Sequence, residues 1–265
     1  MQGKTIINHF KSRLAGRIFW ISILIIIWQA VASSGAFSPL IFPEIQTILK
    51  AFVQGLKNGE LLWSAGYSMK LIVYGLFIGI LSGTALAVLS SFSVIFESFV
   101  DTVIAIAHPL PGIALLPLVI LWAGTGETAI IFIIIHSVIW PLALNLISGF
   151  KSIPGVLEKT AANYELTPLQ TAIYIYLPAS FPYFISGVKT GWARAWRALI
   201  SAEMLFGATG AVGGIGWFMY KKRVFMDTPG IFAGLIVIII IGILVEEFIF
   251  VKIEKLTIGN WGISR

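Results

Sequence analysis

Hydrophobic and polar positions along the chain alternate in blocks rather than in short periods. Residues 18–43, 71–96, 102–126, 129–150 and 228–245 contain no Asp, Glu, Lys or Arg. About 20 apolar residues in a helix cross the roughly 30 Å hydrocarbon core of a bilayer, so each run predicts a membrane span. Residues 166–188 are also free of charge, but Pro168, Pro178 and Pro182 argue against a span there. Proline removes a backbone donor and clashes with the preceding turn, at about 3 kcal/mol in a helix interior. This stretch instead predicts a pair of short helices and a turn, with Thr167 as N-cap, Pro168 at the first helical position and Pro178 opening a new segment. A span carrying Lys189, Arg194, Arg197 and Glu203 then begins near Pro182 and runs to about residue 206. The expected spans are 18–35, 68–92, 99–123, 127–150, 182–206 and 229–252, an all-α membrane protein of about six transmembrane helices.

Two finer patterns add contacts to this layout. Gly75, Gly79, Gly83 and Ala87 recur at every fourth position of the second span. Such a stripe of small residues lets helix backbones approach closely in lipid. Between the first two spans, Ile45, Ile48, Leu49, Phe52, Val53 and Leu56 alternate with Gln46, Lys50, Gln54 and Lys57 at helical spacing. That spacing predicts an amphipathic helix on the membrane surface or against the spans.

Composition narrows the chemistry. Hydrophobic residues make up 58% of 265 positions and charged residues 11%, against roughly 25% charged in soluble domains. The net charge of +6 reads as anchoring charge at the membrane surface rather than a nucleic-acid patch. Without cysteine there is no disulfide, thiolate metal site or thiol nucleophile. His9, His108 and His136 stand apart from one another and from acidic clusters, so no metal site is expected and each reads as a satisfied or interfacial histidine. There is no phosphate-cradling G-x-x-x-x-G-K-[ST] and no nucleophile elbow, so no ATP site and no catalytic residue are expected in this chain.

Lys4, Lys11, Arg13 and Arg17 precede the first run, and Ala30-Val31-Ala32 imitates a signal cleavage site; the segment is read as an uncleaved first span with Trp20 and Trp28 at its interfaces. With the basic N-terminus in the cytoplasm, six crossings return the C-terminus there too. Nine basic residues then lie inside (Lys4, Lys11, Arg13, Arg17, Lys151, Lys159, Lys252, Lys255, Arg265) and six outside (Lys50, Lys57, Lys70, Lys221, Lys222, Arg223). The outer cluster Lys221-Lys222-Arg223 sits awkwardly with the positive-inside rule. No linker or repeat divides the chain, so residues 1–265 form one transmembrane domain, with 151–181 as a cytoplasmic loop within it.

That loop, "LEKTAANYELTPLQTAIYIYLPASFP", offers a compact knob: Ala161 and Ala162 carry no bulk, and the chain bends at Glu165–Thr167. It resembles the cytoplasmic signature of the permease subunits of ATP-binding-cassette importers, the nitrate, sulfonate, taurine and bicarbonate group. The family pattern is Glu-Ala-Ala, three residues, Gly, about nine residues, then Ile-x-Leu-Pro. Counted back from Leu177-Pro178, Lys159-Thr160-Ala161 occupy the Glu-Ala-Ala positions and Glu165 the Gly position, and three of these four depart from the pattern. A non-glycine residue in a left-handed turn costs about 1–2 kcal/mol, so the turn is right-handed here or a neighbour stabilises it. "HPLPGIALLPLVILWAGTGE", "YFISGVKTGWARAWRALISAEML" and "GNWG" resemble the family's third span, fifth span and tail, in order.

The resemblance implies a type I importer permease in the cell inner membrane. Two permeases, as a homodimer, would stand over two ATPase subunits and under an extracytoplasmic substrate-binding protein. ATP and Mg would sit in the ATPase. Lys159, Thr160, Ala161, Ala162, Glu165, Leu166, Thr167, Pro168, Leu177 and Pro178 would form the coupling helices, and alternating access would pass a small, anionic solute. Lys189, Arg194, Arg197 and Glu203 are costly in lipid and belong in the bundle interior. Either the basic face shared by Arg194 and Arg197 lines a pathway that favours anions, or these residues pair with Glu203 or other carboxylates to hold helices together. Lys221, Lys222 and Arg223 either meet an acidic rim on the binding protein, steer an anion or anchor at the interface. The rival function is an ATP-independent secondary transporter or channel, which would more often show broken helices or membrane carboxylates.

Overall fold

Lys189, Lys151 and Glu60 each reach an oppositely charged partner far away in sequence, and those pairs mark which helix ends lie side by side. In a computed structural model of the protein, residues 2–206 and 213–257 are described. The elements are α1 (Gln2–Ser33), α2 (Ile45–Lys57), α3 (Glu60–Ser90), α4 (Val94–Ala107), α5 (Gly112–Ala123), α6 (Glu127–Lys151), α7 (Gly155–Asn163), α8 (Pro168–Thr171), α9 (Leu177–Phe206), α10 (Ile215–Val224), α11 (Thr228–Ile243) and α12 (Val251–Leu256). π-helical turns at Ala172–Tyr176 and Leu244–Phe250 join α8 to α9 and α11 to α12. Residues 207–212 of the glycine-rich stretch, "GNWG" at 259–262, Arg265 and the side chains of Lys4, His9, Lys11 and Arg13 lie outside what is described.

Among the described residues four helices are long and apolar enough to cross a membrane, or five if the bent α4–α5 pair is one span. The charged α9, with 30 residues, is about 45 Å long and supplies the sixth rod. Every described ion pair joins residues that a six-crossing path puts at the same membrane face. Arg17–Glu247 at 3.3 Å, Lys151–Glu97 at 2.7 Å and Lys189–Glu254 at 3.2 Å lie towards one face. Lys70–Glu127 at 3.4 Å, Lys221–Glu60 at 3.1 Å and Lys222–Asp227 at 3.1 Å lie towards the other.

At the centre α6 is held between α3 and α9, and small residues set the spacing on both sides. A Cβ built on Gly79 would lie 2.8 Å from Val138 Cβ, and one on Gly83 would lie 2.9 Å from the Ile139 carbonyl. The predicted stripe on α3 is thus a helix contact, and its partner is α6. From the other side Gly187 approaches Leu142 Cα to 3.0 Å and Gly191 approaches Val138 Cα to 3.2 Å, measured from the same built atom. This second stripe, on α9, went unremarked in the sequence because Lys189 and Arg194 interleave with it. Leu71, Ile133, Ile134, Leu142 and Leu199 fill the buried seam. By contrast α1 stays at the edge, its apolar face exposed as a lipid-facing helix requires, while Trp28 Nε1 donates to the Pro43 carbonyl at 3.0 Å. Trp28, expected at an interface, thus also ties the end of α1 to the loop that follows it.

Two boundaries differ from expectation. The span expected at 99–123 is broken: α4 and α5 meet at 102°. Pro109 and Pro111 lack amide hydrogens, and Pro111 adopts an extended backbone that ends one helix and starts the next. The span expected to start near Pro182 starts at Leu177, with Pro182 inside it. The π turn just before α9 and the Ser180 hydroxyl, which donates to the Tyr176 carbonyl at 2.6 Å, ease the backbone around these prolines.

Candidate functional site

α9 carries three polar stations. Its near end is the knob of α7 and α8. Thr167 caps α8 as expected: its Oγ1 accepts from Gln170 N at 3.3 Å while Gln170 Oε1 accepts from Thr167 N at 2.9 Å, a reciprocal capping box. α7 ends in a left-handed residue, Glu165 at φ 52°, in the position where the family pattern has glycine. The Leu166 amide donates to the Ala161 carbonyl and the Glu165 amide to that of Ala162, both at 3.0 Å. These two bonds satisfy the helix end as a Schellman motif, so the turn keeps its left-handed form and the neighbouring amides stabilise it. Ala161 is buried, whereas Lys159, Thr160, Ala162 and Glu165 face outwards. Val156, Tyr164, Ile173, Tyr174 and Leu177 expose apolar surface around them.

The middle station is a cavity of about 230 Å³ at the break between α4 and α5. It is lined by Leu110–Ile113, by His136 and Ser137 of α6, and by Arg194, Arg197, Ala198 and Ser201 of α9. Arg194 Nη2 donates to the His108 carbonyl at 2.7 Å, at the C-terminal end of α4. Among the described residues Arg197 bonds only within its own helix, Nε to the Ala193 carbonyl at 2.9 Å. Both ring nitrogens of His136 are shielded and have no hydrogen-bond partner among the described residues. Of the two expectations for this histidine, satisfied or interfacial, the first is not met.

The far station is Glu203, 1% exposed. The Ser68 hydroxyl lies 2.8 Å and 2.9 Å from its two oxygens and donates to the carboxylate, while the Gly216 amide donates to Oε2 at 2.9 Å. Ser68 Oγ in turn accepts from Ile215 N at 2.9 Å. The carboxylate and the serine together meet the first two amides of α10, which would otherwise lack partners. Gly214 leaves room for this arrangement, since a Cβ there would collide with the carboxylate.

Of the four charges expected together on α9, Arg194 and Arg197 share the cavity. Lys189 is engaged with Glu254, and Glu203 with α3 and α10. Among the described residues Glu203 pairs with no arginine; its partners are Ser68 and Gly216. The awkward basic cluster is largely neutralised in place: Lys221 pairs with Glu60, Lys222 with Glu60 and Asp227, and Arg223 stacks on the Tyr220 ring at 5.1 Å. These cations occupy the last turn of α10, where they also complement the helix dipole. Ser137 and Ser201 were not singled out from sequence, and His136 was read only as a satisfied or interfacial histidine. The only signal for His136 was a lone imidazole in a charge-free run.

Comparison with known proteins places these features in a lineage. The family described as "Binding-protein-dependent transport system inner membrane component" matches residues 75–256. The chain is 28% identical over 231 residues to the taurine transport system permease protein TauC of Escherichia coli (strain K12), covering 85% of this chain and 82% of that one. It is 27% identical over 252 residues to the nitrate import permease protein NrtB of Leptolyngbya laminosa, covering 93% and 87%. It is also 26% identical over 234 residues to the bicarbonate transport system permease protein CmpB of Synechococcus elongatus, covering 85% and 83%.

Proposed function

The chain belongs to the binding-protein-dependent transport system inner membrane components and is an ABC transporter permease subunit; from that premise we propose that it forms the translocation pathway of an ATP-driven importer for a small anionic solute. The solute is handed over by a substrate-binding protein. Energy comes from separate ATPase subunits, which hold the ATP and Mg. Taurine, nitrate and bicarbonate, named for the relatives, share negatively charged oxygens, and the cavity of this chain presents Arg194 and Arg197.

The observation that carries the reading is the continuity of the chain from α8 through the π turn into α9. A push on the α7–α8 knob moves the rod that holds Arg194, Arg197 and Glu203. Lys159, Thr160, Ala161, Ala162, Glu165, Leu166, Thr167, Pro168, Leu177 and Pro178 are assigned to ATPase coupling, with both termini in the cytoplasm and two copies forming a homodimer. Alternating access follows: ATP closes the ATPase pair, the knobs move together, and the α9 rods swing the cavity from one face to the other. The bent α4–α5 pair is a feature shared with secondary transporters, but the family membership favours the ATP-driven reading.

The test is co-purification of the tagged chain with its candidate ATPase subunits in detergent, comparing Ala162→Glu. Ala162 is exposed, so its substitution leaves the buried Ala161 contact intact. Association with the original chain, lost in a variant of unchanged melting temperature, supports the reading. Absence of any associated ATPase overturns it.

A further inference from the structure

The break between α4 and α5 creates two new helix ends in the middle of the bundle. His136 is nine residues in from Glu127, about 14 Å from that end of α6, and about 22 Å from Lys151 at the other. A break at such depth leaves carbonyls at the end of α4 and amides at the start of α5 without intrahelical partners. The negative end is met: Arg194 donates to the His108 carbonyl. The positive end, at Gly112 and Ile113, opens on the cavity. No acidic residue is among the cavity's lining residues, although two guanidinium groups are.

Three further groups favour the same kind of occupant. A neutral imidazole carries one N–H donor, and His136, which lines the cavity, has neither ring nitrogen paired among the described residues. The hydroxyls of Ser137 and Ser201 bond to carbonyls of their own helices at 2.8 Å and 2.9 Å, and such hydroxyls rotate readily. Gly112 lets α5 sit against α6, since a Cβ there would lie 3.1 Å from Ser137 Oγ. Helix amides, guanidinium forks, an imidazole and hydroxyls are all donors, and donors converging on one space select an acceptor with several oxygens.

We propose that this cavity is an oxyanion-binding subsite within the permease itself, in which Arg197, His136 and the amino end of α5 hold the charged oxygens of the solute. The site deepens the importer reading and rests on it for the identity of its occupant as transported solute. Arg194 has a divided role: one guanidinium nitrogen fixes the break and the remaining donors face the ligand. Selectivity is then exercised twice, once by the binding protein and once here, where a cation meets only positive charge.

The experiment uses the full chain in lipid nanodiscs, with methanesulfonate and nitrate as probes and ethylammonium as the cationic control at fixed ionic strength. The melting temperature is expected to rise saturably with at least one oxyanion and not with ethylammonium. Arg197→Gln and His136→Phe are each expected to raise the half-saturating concentration about tenfold or more, since each removes a donor to an anion. Lys50→Gln, the same charge change on the exposed α2, should leave it unaltered. Arg197 is the preferred position because Arg194→Gln also frees the His108 carbonyl and can unfold the break. No saturable rise with either oxyanion, or an equal response in Arg197→Gln, overturns the subsite. ATPase co-purification, measured on the same preparations, separates the two readings: an anion response without an associated ATPase keeps the subsite and removes the importer, and the reverse removes only the subsite.

Discussion

Arg197 and Glu203 lie less than two turns apart on α9, yet the protein treats their charges in opposite ways. Glu203 is 1% exposed, and its oxygens accept from Ser68 and Gly216. Arg197 faces a cavity and spends one donor on its own helix. A charge in the membrane interior is costly in either case. At Glu203 the cost is offset by fixing the start of α10, a structural use in which burial keeps the carboxylate from a ligand. At Arg197 the donors stay available. Depth in the bilayer does not separate these two charges; whether their hydrogen-bonding positions open on the cavity does.

The largest effect is expected from breaking the Glu203 end. Glu203→Leu leaves the Ser68 hydroxyl and the Gly216 amide without their acceptor, and each unsatisfied buried group costs about 1–3 kcal/mol. A fall in stability of about 2–4 kcal/mol is expected, read by thermal unfolding in detergent, with Glu203→Gln losing much less. Gly214→Ala should also destabilise, because the added Cβ runs into the carboxylate. The collision predicts strong coupling, so the cost of Gly214→Ala should shrink in a Glu203→Ala background. Additive costs would show that the carboxylate does not set the position of α10.

At the other place the expected pattern is inverted. Arg197→Gln should change stability by no more than about 0.5 kcal/mol, as for other substitutions whose partners are few. Oxyanion uptake by cells expressing the whole importer should fall about tenfold. If unfolding responds strongly and uptake does not, Arg197 belongs with Glu203 as a structural charge and the contrast disappears.

How much of this contrast could be read from sequence follows from the range of each interaction. The spans, the α3 stripe, the α2 amphipathic helix and the Thr167 cap were legible because each depends on residues within a few turns. The break at His108–Pro111 was not read from sequence, which predicts one span over 99–123; Pro109 and Pro111 stand there, but two prolines alone do not set a 102° bend. Glu203 was legible as an oddity and not as a cap, since Ser68 is 135 residues away and Gly216 begins another helix. His136 gave almost no signal. A histidine in an apolar run looks the same whether its nitrogens are paired or free, and only the neighbouring helices decide which.

The smallest effect concerns a third charged residue, exposed and bonded by neither scheme. Glu165 holds φ 52° where the related pattern has glycine. A left-handed side chain costs about 1–2 kcal/mol, whereas glycine loses about 0.4–1 kcal/mol more chain entropy on folding. The first term outweighs the second, so Glu165→Gly is expected to stabilise the protein by about 0.5–1 kcal/mol, seen as a slightly higher melting temperature and slower proteolysis of the α7–α8 loop. A loss of stability would mean that the Glu165 side chain has a favourable contact exceeding its backbone strain. Stabilisation accompanied by weaker coupling of ATP hydrolysis to uptake would place Glu165 with Arg197, as a residue whose local cost supports function rather than the fold.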